Sequence, residues 1–532
     1  MNIFDKAIES FAPVHAVKRA AARNTLKFLN SGYGDGGASR TKKSMRGFTA
    51  TSKSPLQDIE ANHGTLVSRS RSLYMTAPIA TSAIKTTVTN VVGSGLKLKS
   101  RIDYEFLGMT EEQAEAWEAK TEREFDLWAS TRRCDALRLN SFYEMQGVMF
   151  LGQLLNGDGF CLNKYETPTP SMPYGLRLQL LEGDRVCTPH AMNYSYGDGL
   201  YIGTNPANGN KIYSGVEIDS NGATVAYWIC NQYPYNGGLT ANNEPLEWQR
   251  VEMYGAKSGR QNLIHIFDAE RAEQRRGVPM LAPVIEELKQ LKRYTDAELM
   301  AAVISGMFTV FITTDAPSTE NALGAGFPDD TPSVDNDPNN YQLGNGAIVS
   351  LNEGEKIEIA DPKRPNTAFD AFINSLCKNI GSALEIPQEL LLKSFNSSYS
   401  ASRAALLEAW KMFRKRREWL SKEFCQPVYE LFLTEAIASG RIQANGFFTD
   451  AVIRKAWCGA DWNGAAMGMV DPVKEVQAAK MRVDNGFSTR EEETMGLTGG
   501  DYIKNAKQLK RENTMLADAQ ATMTQNTSKG GA

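Results

Sequence analysis

Between residues 158 and 268 the apolar side chains recur at every second position, and on both sides of that stretch they recur every three to four. The backbone sets these periods: two residues per repeat in a strand, 3.6 in a helix. A chain that keeps the two in separate blocks is expected to be α+β, with its strands gathered in one region. Strands are predicted in GFCLNKYE, LRLQLLEG, SGVEIDSNGATVAYWIC and LIHIFD. Asn221-Gly222 is the strongest hairpin signal between two of them.

The helical blocks punctuate themselves. A short amphipathic helix is predicted at 2–11 and a basic one at 16–29, before the glycines at 32, 34, 36 and 37. Leu66, Leu73, Ile79, Ile84 and Val88 space out helices that end at Gly93 and Gly95. Thr110 and Gln113 form a capping box for a helix that puts Trp117, Thr121, Phe125 and Trp128 on one face. Another helix, at 141–155, ends at Asn156-Gly157. Three longer ones follow the strands. Val284, Leu288, Leu291, Leu299, Ala302 and Val303 stripe 281–305; Phe369, Phe372, Ile373, Leu376, Ile380 and Ala383 stripe 367–385. Leu406, Trp410, Phe413, Leu420 and Phe424 stripe 401–424. Between the first two lies a β-type excursion around an acidic, Pro/Asn/Gly-rich insert at 315–345. The last 90 residues read as increasingly polar helix, with a tail from 517 too polar to order.

A chain of 532 residues can bury several cores, and two to four domains are expected. Its net charge of −4 argues against a body coated in basic surface. The charge is segregated, however. Residues 1–101 hold sixteen Lys/Arg against five Asp/Glu, and 315–361 hold ten Asp/Glu against one Lys. Such blocks are either solvated stretches or partner-facing surfaces. Seven cysteines without a CxxC pair fit reduced, buried thiols. MNIFDKAIESFAPVH lacks an uninterrupted apolar core for a secretory signal, and no run of about 18 apolar residues suits a bilayer, so a soluble intracellular product with no membrane partner is expected.

Sites for chemistry fail on spacing. Gly203, Gly209 and Lys211 miss the phosphate-loop template and fit a hairpin turn. Asp335, Asp337 and Asn339 begin like a calcium loop, but Asn340 and Gly346 stand where Gly and Glu are needed. Four histidines, 15, 63, 190 and 265, are not at ligand spacing, and His265 between Ile264 and Ile266 reads as structural. No catalytic residue, cofactor or metal is expected.

Several segments in order resemble one family. They are SRSRSLY (68–74), VVGSGL (91–96), EQRRGVPMLAPVIEELKQLKRYTDAELMAA (273–302) and GAIVSLNEGE (346–355). IGSALEIPQELLLKSFNSSYSASRAALLEAW (380–410) and W-x4-W-x8-DPVKEVQAA (457–479) complete the series. The chain resembles the lambda-family portal proteins of tailed bacteriophages. That likeness implies the portal fold of wing, stem, clip and crown, assembled as a ring with a central channel, usually of twelve copies. It divides this chain into a basic, loosely ordered arm (1–60), an α+β wing (61–278), a first stem helix (279–308) and a clip with the acidic insert (309–365). A second stem helix (366–390), a tunnel loop (391–401), a long wing helix (402–440), a crown (441–516) and a disordered tail (517–532) follow.

The resemblance also implies roles. Lys393, Asn396, Ser397, Ser398, Tyr399 and Arg403 fall at the tunnel loop. Glu287, Glu298, Asp370, Asn374 and Lys378 fall on channel-facing stem stripes, which by pattern alone are equally ordinary solvent faces. Arg275, Arg276, Gly277 and Pro279 are expected at a subunit interface. Glu353, Glu355 and Glu358 are expected where the clip docks the terminase. Implied partners are further copies of the chain, double-stranded DNA, the terminase large subunit, head–tail connector or head-completion proteins and the major capsid protein, at the portal vertex of the virion. A channel that lets duplex slide at every register is poorly served by many Lys/Arg contacts, which bind tightly and with steep salt dependence. The basic run KMFRKRR (411–417) is then either a DNA contact or a packed or solvated face. The alternatives are a minor capsid or scaffolding protein without a channel, and a packaging enzyme.

Overall fold

A computed structural model describes residues 12–29, 37–39, 42–195, 201–234, 245–306, 310–314, 355–359, 369–395, 398–469 and 471–529. The predicted helix at 2–11 and the insert at 315–345 lie outside the described residues. The chain divides into two compact units, residues 1–54 and 55–532. The first contains helix α1 (Pro13–Leu29) and a short 3-10 turn at Lys43–Met45.

In the second unit, a π-helical turn at Leu56–Glu60 runs into α2 (Ala61–Thr76), and α3 (Pro78–Val91) follows after a break at Ala77. The helices expected before Gly93 part at Ala77 because Pro78 has no N–H to offer and drives Ala77 to an extended ψ of 110°. Next come β1 (Lys97–Ser100), α4 (Glu111–Ala129) and α5 (Phe142–Asn156). The Thr110–Gln113 capping box on α4 is present, and Ser141 and Glu144 form a second on α5.

The strand block forms two sheets. In the first, β10 (Leu263–Phe267), β2 (Asp158–Tyr165) and β3 (Leu176–Leu181) run antiparallel, with His265 opposite Phe160. The second is a six-stranded meander of β4 (Asn193–Ser195), β5 (Tyr201–Thr204), β6 (Lys211–Tyr213), β7 (Val216–Ile218), β8 (Thr224–Cys230) and β9 (Trp248–Glu252). Gly203 and Lys211 sit on the β5–β6 hairpin, as their spacing suggested. The β7–β8 hairpin forms at the expected place, but Gly222 alone has a positive φ, of 85°. The turn is built on Asp219, whose carboxylate accepts the N–H of Asn221 and Ala223. Glu217, fully buried, accepts bonds from Asn205, Asn208, Asn210, Trp228 and Arg250. Burial alone would raise its carboxyl, but Arg250 and the amide donors bring it down to about 2.

Helices α6 (Ile285–Gly306) and α7 (Phe369–Ala383) pack against one another, and β11 (Val310–Thr314) pairs with β12 (Glu355–Ile359). A single turn α8 (Gln388–Leu392) leads to α9 (Tyr399–Leu420), which passes through a π-helical turn at Ser421–Cys425 into α10 (Gln426–Ala438). The C-terminal part holds α11 (Ala451–Trp457), β13 (Ala460–Asn463), α12 (Pro472–Asp484), α13 (Arg490–Thr498) and α14 (Tyr502–Lys529). It returns to the start of the unit, because β13 pairs with β1, Trp462 opposite Leu98. Phe125 is the hub of the main core. Its ring meets Trp128, Phe142, Tyr429, Phe432 and Trp462 at centroid distances of 5.1–5.9 Å, mostly edge to face, the arrangement aromatic quadrupoles prefer.

Candidate functional site

The segment leading into α6 is locked to the sheet by a sealed ionic cluster. Gly157 ends α5 with a φ of 84°, and Asp158 opens β2. The backbone of Gly277 passes so close to Gly157 that a Cβ on either would collide with the other's main chain. That approach fixes both as glycine. It also lets the Asp158 carboxylate accept the Gly277 N–H at 2.6 Å and Arg276 Nε at 2.5 Å. The remaining guanidinium donors go to the carbonyls of Val186, Ser214 and Gly183 at 2.8–3.2 Å. His265 Nε2 and His63 Nε2 stand 3.2 and 3.3 Å from the two Asp158 oxygens.

Arg276 is 3% exposed and Asp158 1%, so the pair is out of water. Burial alone would raise the Asp158 carboxyl. Arg276, with bonds from His265 and His63, outweighs it and holds the group well below the usual carboxylate range. Burial pushes the His265 imidazole down, against the pull of Asp158. Beside them Glu60, 6% exposed, has one carboxyl oxygen without a hydrogen-bond partner among the described residues. Burial pushes its carboxyl up to about 7, although Arg276 and Arg275 pull it down. The arrangement clamps a helix to a sheet. Both Asp158 oxygens are occupied, and among the described residues no group of three His, Cys, Asp or Glu side chains is placed to hold a metal ion.

Of the arginines read as interface residues, Arg276 is therefore committed to its own chain. Arg275 is half-buried, with its guanidinium carbon 4.8 Å above the Tyr213 ring. Gly277 and Pro279 are buried.

Among the described residues, α6 is buried at its N-terminal end and α7 at its C-terminal end. Val284, Leu288, Leu291, Cys377 and Ile380 are buried there. Farther out Tyr294 joins the pair, its ring 5.6 Å from Phe369 and 5.0 Å from Phe372. Leu299, Met300 and Val303 beyond it are 67, 60 and 45% exposed, and Phe372 is 49% exposed. The polar stripe is less uniform than its spacing suggested. Glu287, Asp370 and Lys378 are exposed and Glu298 is half-buried. Asn374 turns toward α8, accepting a bond from Gln388 at 2.7 Å.

A cavity of about 270 Å³ opens where the α6 segment, the end of α7 and α9 meet, with Gln153, Met280, Leu384, Met412, Arg416 and Trp419 in its wall. Burial lowers the affinity of the Arg416 guanidinium for its proton, while Glu385 and Asp268 support it. Arg417 donates to the carbonyls of Val91, Asn90 and Ala465 and lies over Trp410, and Lys411 pairs with Glu408. The basic run is thus divided between packing and surface.

In the α8–α9 connection, Lys393 adopts a φ of 52° and Ser398 caps α9 by accepting the Ala401 N–H. Arg403 bonds Glu475 on α12, tying the start of α9 to the C-terminal part. Tyr399 is the first residue of α9. Asn396, Ser397 and Glu353 lie outside the described residues. Glu355 and Glu358 occupy β12, in register with Thr314 and Phe311.

The features described between α2 and α9 fall within one stretch, residues 41–417, that matches the family described as phage portal protein, lambda family. The chain belongs to the lambda family of phage portal proteins. This is the family its motifs pointed to, and it makes the chain a portal protein of a tailed phage and a component of the virion. Family members are structural proteins. This portal protein is 25% identical over 455 residues to portal protein B of Escherichia phage lambda, covering 81% of its own length and 80% of that protein. It is 25% identical over 506 residues to the portal protein of Escherichia phage N15, covering 91 and 90%. Among solved structures, a chain from the virion of a native gene transfer agent particle is 14% identical, with a TM-score of 0.41 and coverage of 81 and 93%. No described helix of the portal chain is long and apolar enough to cross a membrane.

Motif reading missed the clamp. His63, Asp158, His265 and Arg276 are spread over more than two hundred positions, and only the β2–β10 register and the paired glycines bring them together. The one local signal is Gly157 beside Asp158, which by sequence marks a helix exit alone.

Proposed function

We propose that copies of this chain assemble as a ring around a channel through which double-stranded DNA is packaged and later leaves, with no enzymatic step of its own. The α6–α7 hairpin carries the reading. Its outer half leaves Leu299, Met300, Val303 and Phe372 in solvent. Large apolar side chains left in solvent on a phage portal protein are best covered by the next copy. In this arrangement α6 and α7 are the stem, with Glu287, Glu298, Asp370 and Lys378 toward the channel. The β11–β12 pair belongs to the clip, where Glu353, Glu355 and Glu358 meet the terminase large subunit and later the head–tail connector. The 391–401 connection is the tunnel loop, residues 61–278 form the wing and 441–516 the crown, with the major capsid protein outside. The motor partner supplies the energy of packaging. The test replaces Leu299 and Phe372 together by Lys. The double variant is expected to sediment as smaller species with an unchanged far-ultraviolet spectrum, and full-size assemblies from it would exclude this face as the subunit contact.

A further inference from the structure

The cluster at the clamp holds two buried acids around one buried base. Asp158, Glu60 and Arg276 are all closed off from water, and the Arg276 guanidinium is spent on Asp158 and on backbone carbonyls. Glu60 is left with little. One of its carboxyl oxygens has no hydrogen-bond partner among the described residues, and the Ser214 hydroxyl stands 3.5 Å from the other, at the limit of a bond. The charges that reach it are those of Arg276, Arg275 and Asp158. His63 and His265 stand against Asp158, and Asp58, on the same turn as Glu60, pairs with Arg271 on the surface. Two carboxylates around one arginine cannot both ionise without leaving a buried charge in excess. Glu60 gives up its proton readily only if a second cation comes to it.

One is at hand. Arg275 is half-buried and lies with its guanidinium carbon 4.8 Å above the Tyr213 ring. Tyr213 ends β6, and the next residue, Ser214, faces Glu60 with its hydroxyl and gives its carbonyl to Arg276. Arg275 and Glu60 thus meet neighbouring residues of the β6–β7 turn without pairing with each other. A ring face holds a cation weakly, whereas a carboxylate with a free oxygen takes a guanidinium through charge-assisted hydrogen bonds.

We propose that Arg275 is a proton-operated latch, resting on Tyr213 while Glu60 is protonated and swinging to the Glu60 carboxylate once the proton leaves. On Tyr213 the side chain ties the lead-in of α6 to the β6–β7 turn. On Glu60 it ties that lead-in to the π-helical turn before α2. The proton concentration therefore selects which segment holds the lead-in. All the groups belong to one chain, so the device stands independently of how copies assemble.

The test follows the carbonyl stretch of the protonated Glu60 carboxyl by infrared difference spectroscopy on the full-length protein, from about pH 5 to about pH 9. Glu60→Gln is the reference, and subtracting it removes the other titrating groups, His63 and His265 included. The band is expected to fade with a midpoint at about 7. In Arg275→Gln the midpoint should rise by about one pH unit, a tenfold gain in proton affinity, because the ionised form has lost its partner. Arg275→Lys should bring it back toward the unmodified value. Tyr213→Leu should lower it, because the guanidinium no longer has a ring to leave. An unmoved midpoint in Arg275→Gln would mean that Arg275 does not answer to Glu60, and an unmoved midpoint in Tyr213→Leu that it acts from where it stands. Either result overturns the latch, as does a Glu60 carboxyl already ionised at pH 5. If one variant fails to fold, the other decides, since the two shifts are opposite in sign.

Discussion

The carboxylate of Asp158 receives Arg276 Nε at 2.5 Å, with both side chains closed off from water. Two charges removed from solvent are held only when their geometry and remaining hydrogen bonds are complete. Here they are, and what they join is the strand block and the segment that starts the first helix of the proposed stem.

Removing one partner strands the other. Arg276→Met or Asp158→Ala is expected to destabilise the unit by about 3–5 kcal/mol, the usual cost of an uncompensated buried charge. The double variant should lose less than the two singles summed. Denaturant unfolding of all three gives the coupling, and additive losses would mean that the pair does not act as a unit.

Glu60 sets the pH response of the same region. Its carboxyl is raised from 4.5 to about 7. The folded chain therefore holds a proton there that the unfolded chain has released. The stabilisation is fully present below pH 4.5 and is lost as pH rises through 7, on the order of 3 kcal/mol in all, at about 1.4 kcal/mol per pH unit. Asp158, held low, acts in the opposite sense only in stronger acid. Glu60→Gln should flatten the unfolding free energy between pH 5 and 8. A slope equal to that of the unmodified protein would assign the response to another group.

The sequence's periods located nearly every described element, because amphipathicity is local. Three things escaped it for physical reasons. The break at Ala77 comes from a single proline within an otherwise continuous helical pattern. The tail from 517 reads as too polar to order, yet α14 carries helix through it to Lys529, because a polar run of good helix formers needs no apolar stripe to take that backbone. The pairing of β1 with β13 spans more than 350 residues, and no local pattern encodes it. In the site, residue types were legible and partners were not. Arg276 is expected at a subunit interface and Arg403 at the tunnel loop, and no local pattern tells that within one chain they meet Asp158 and Glu475.

Deleting residues 396–398 should leave assemblies intact and lower the DNA retained in filled heads, if this connection narrows the channel. Because Ser398 also caps α9, Ser398→Ala is the control. It loses about 1 kcal/mol of helix stability and should retain DNA normally. Equal retention by deletion and control would remove the loop from contact with DNA.

The most direct measurement is the mass and shape of the purified, unmodified protein at micromolar concentration and moderate salt. Twelve copies of a 58.7 kDa chain give about 704 kDa. Light scattering near that mass, or that of a ring one or two copies away, together with negative-stain images of particles with a central hole wide enough for duplex DNA, is the predicted result. A stable monomer, or particles of the right mass without a hole, would contradict it.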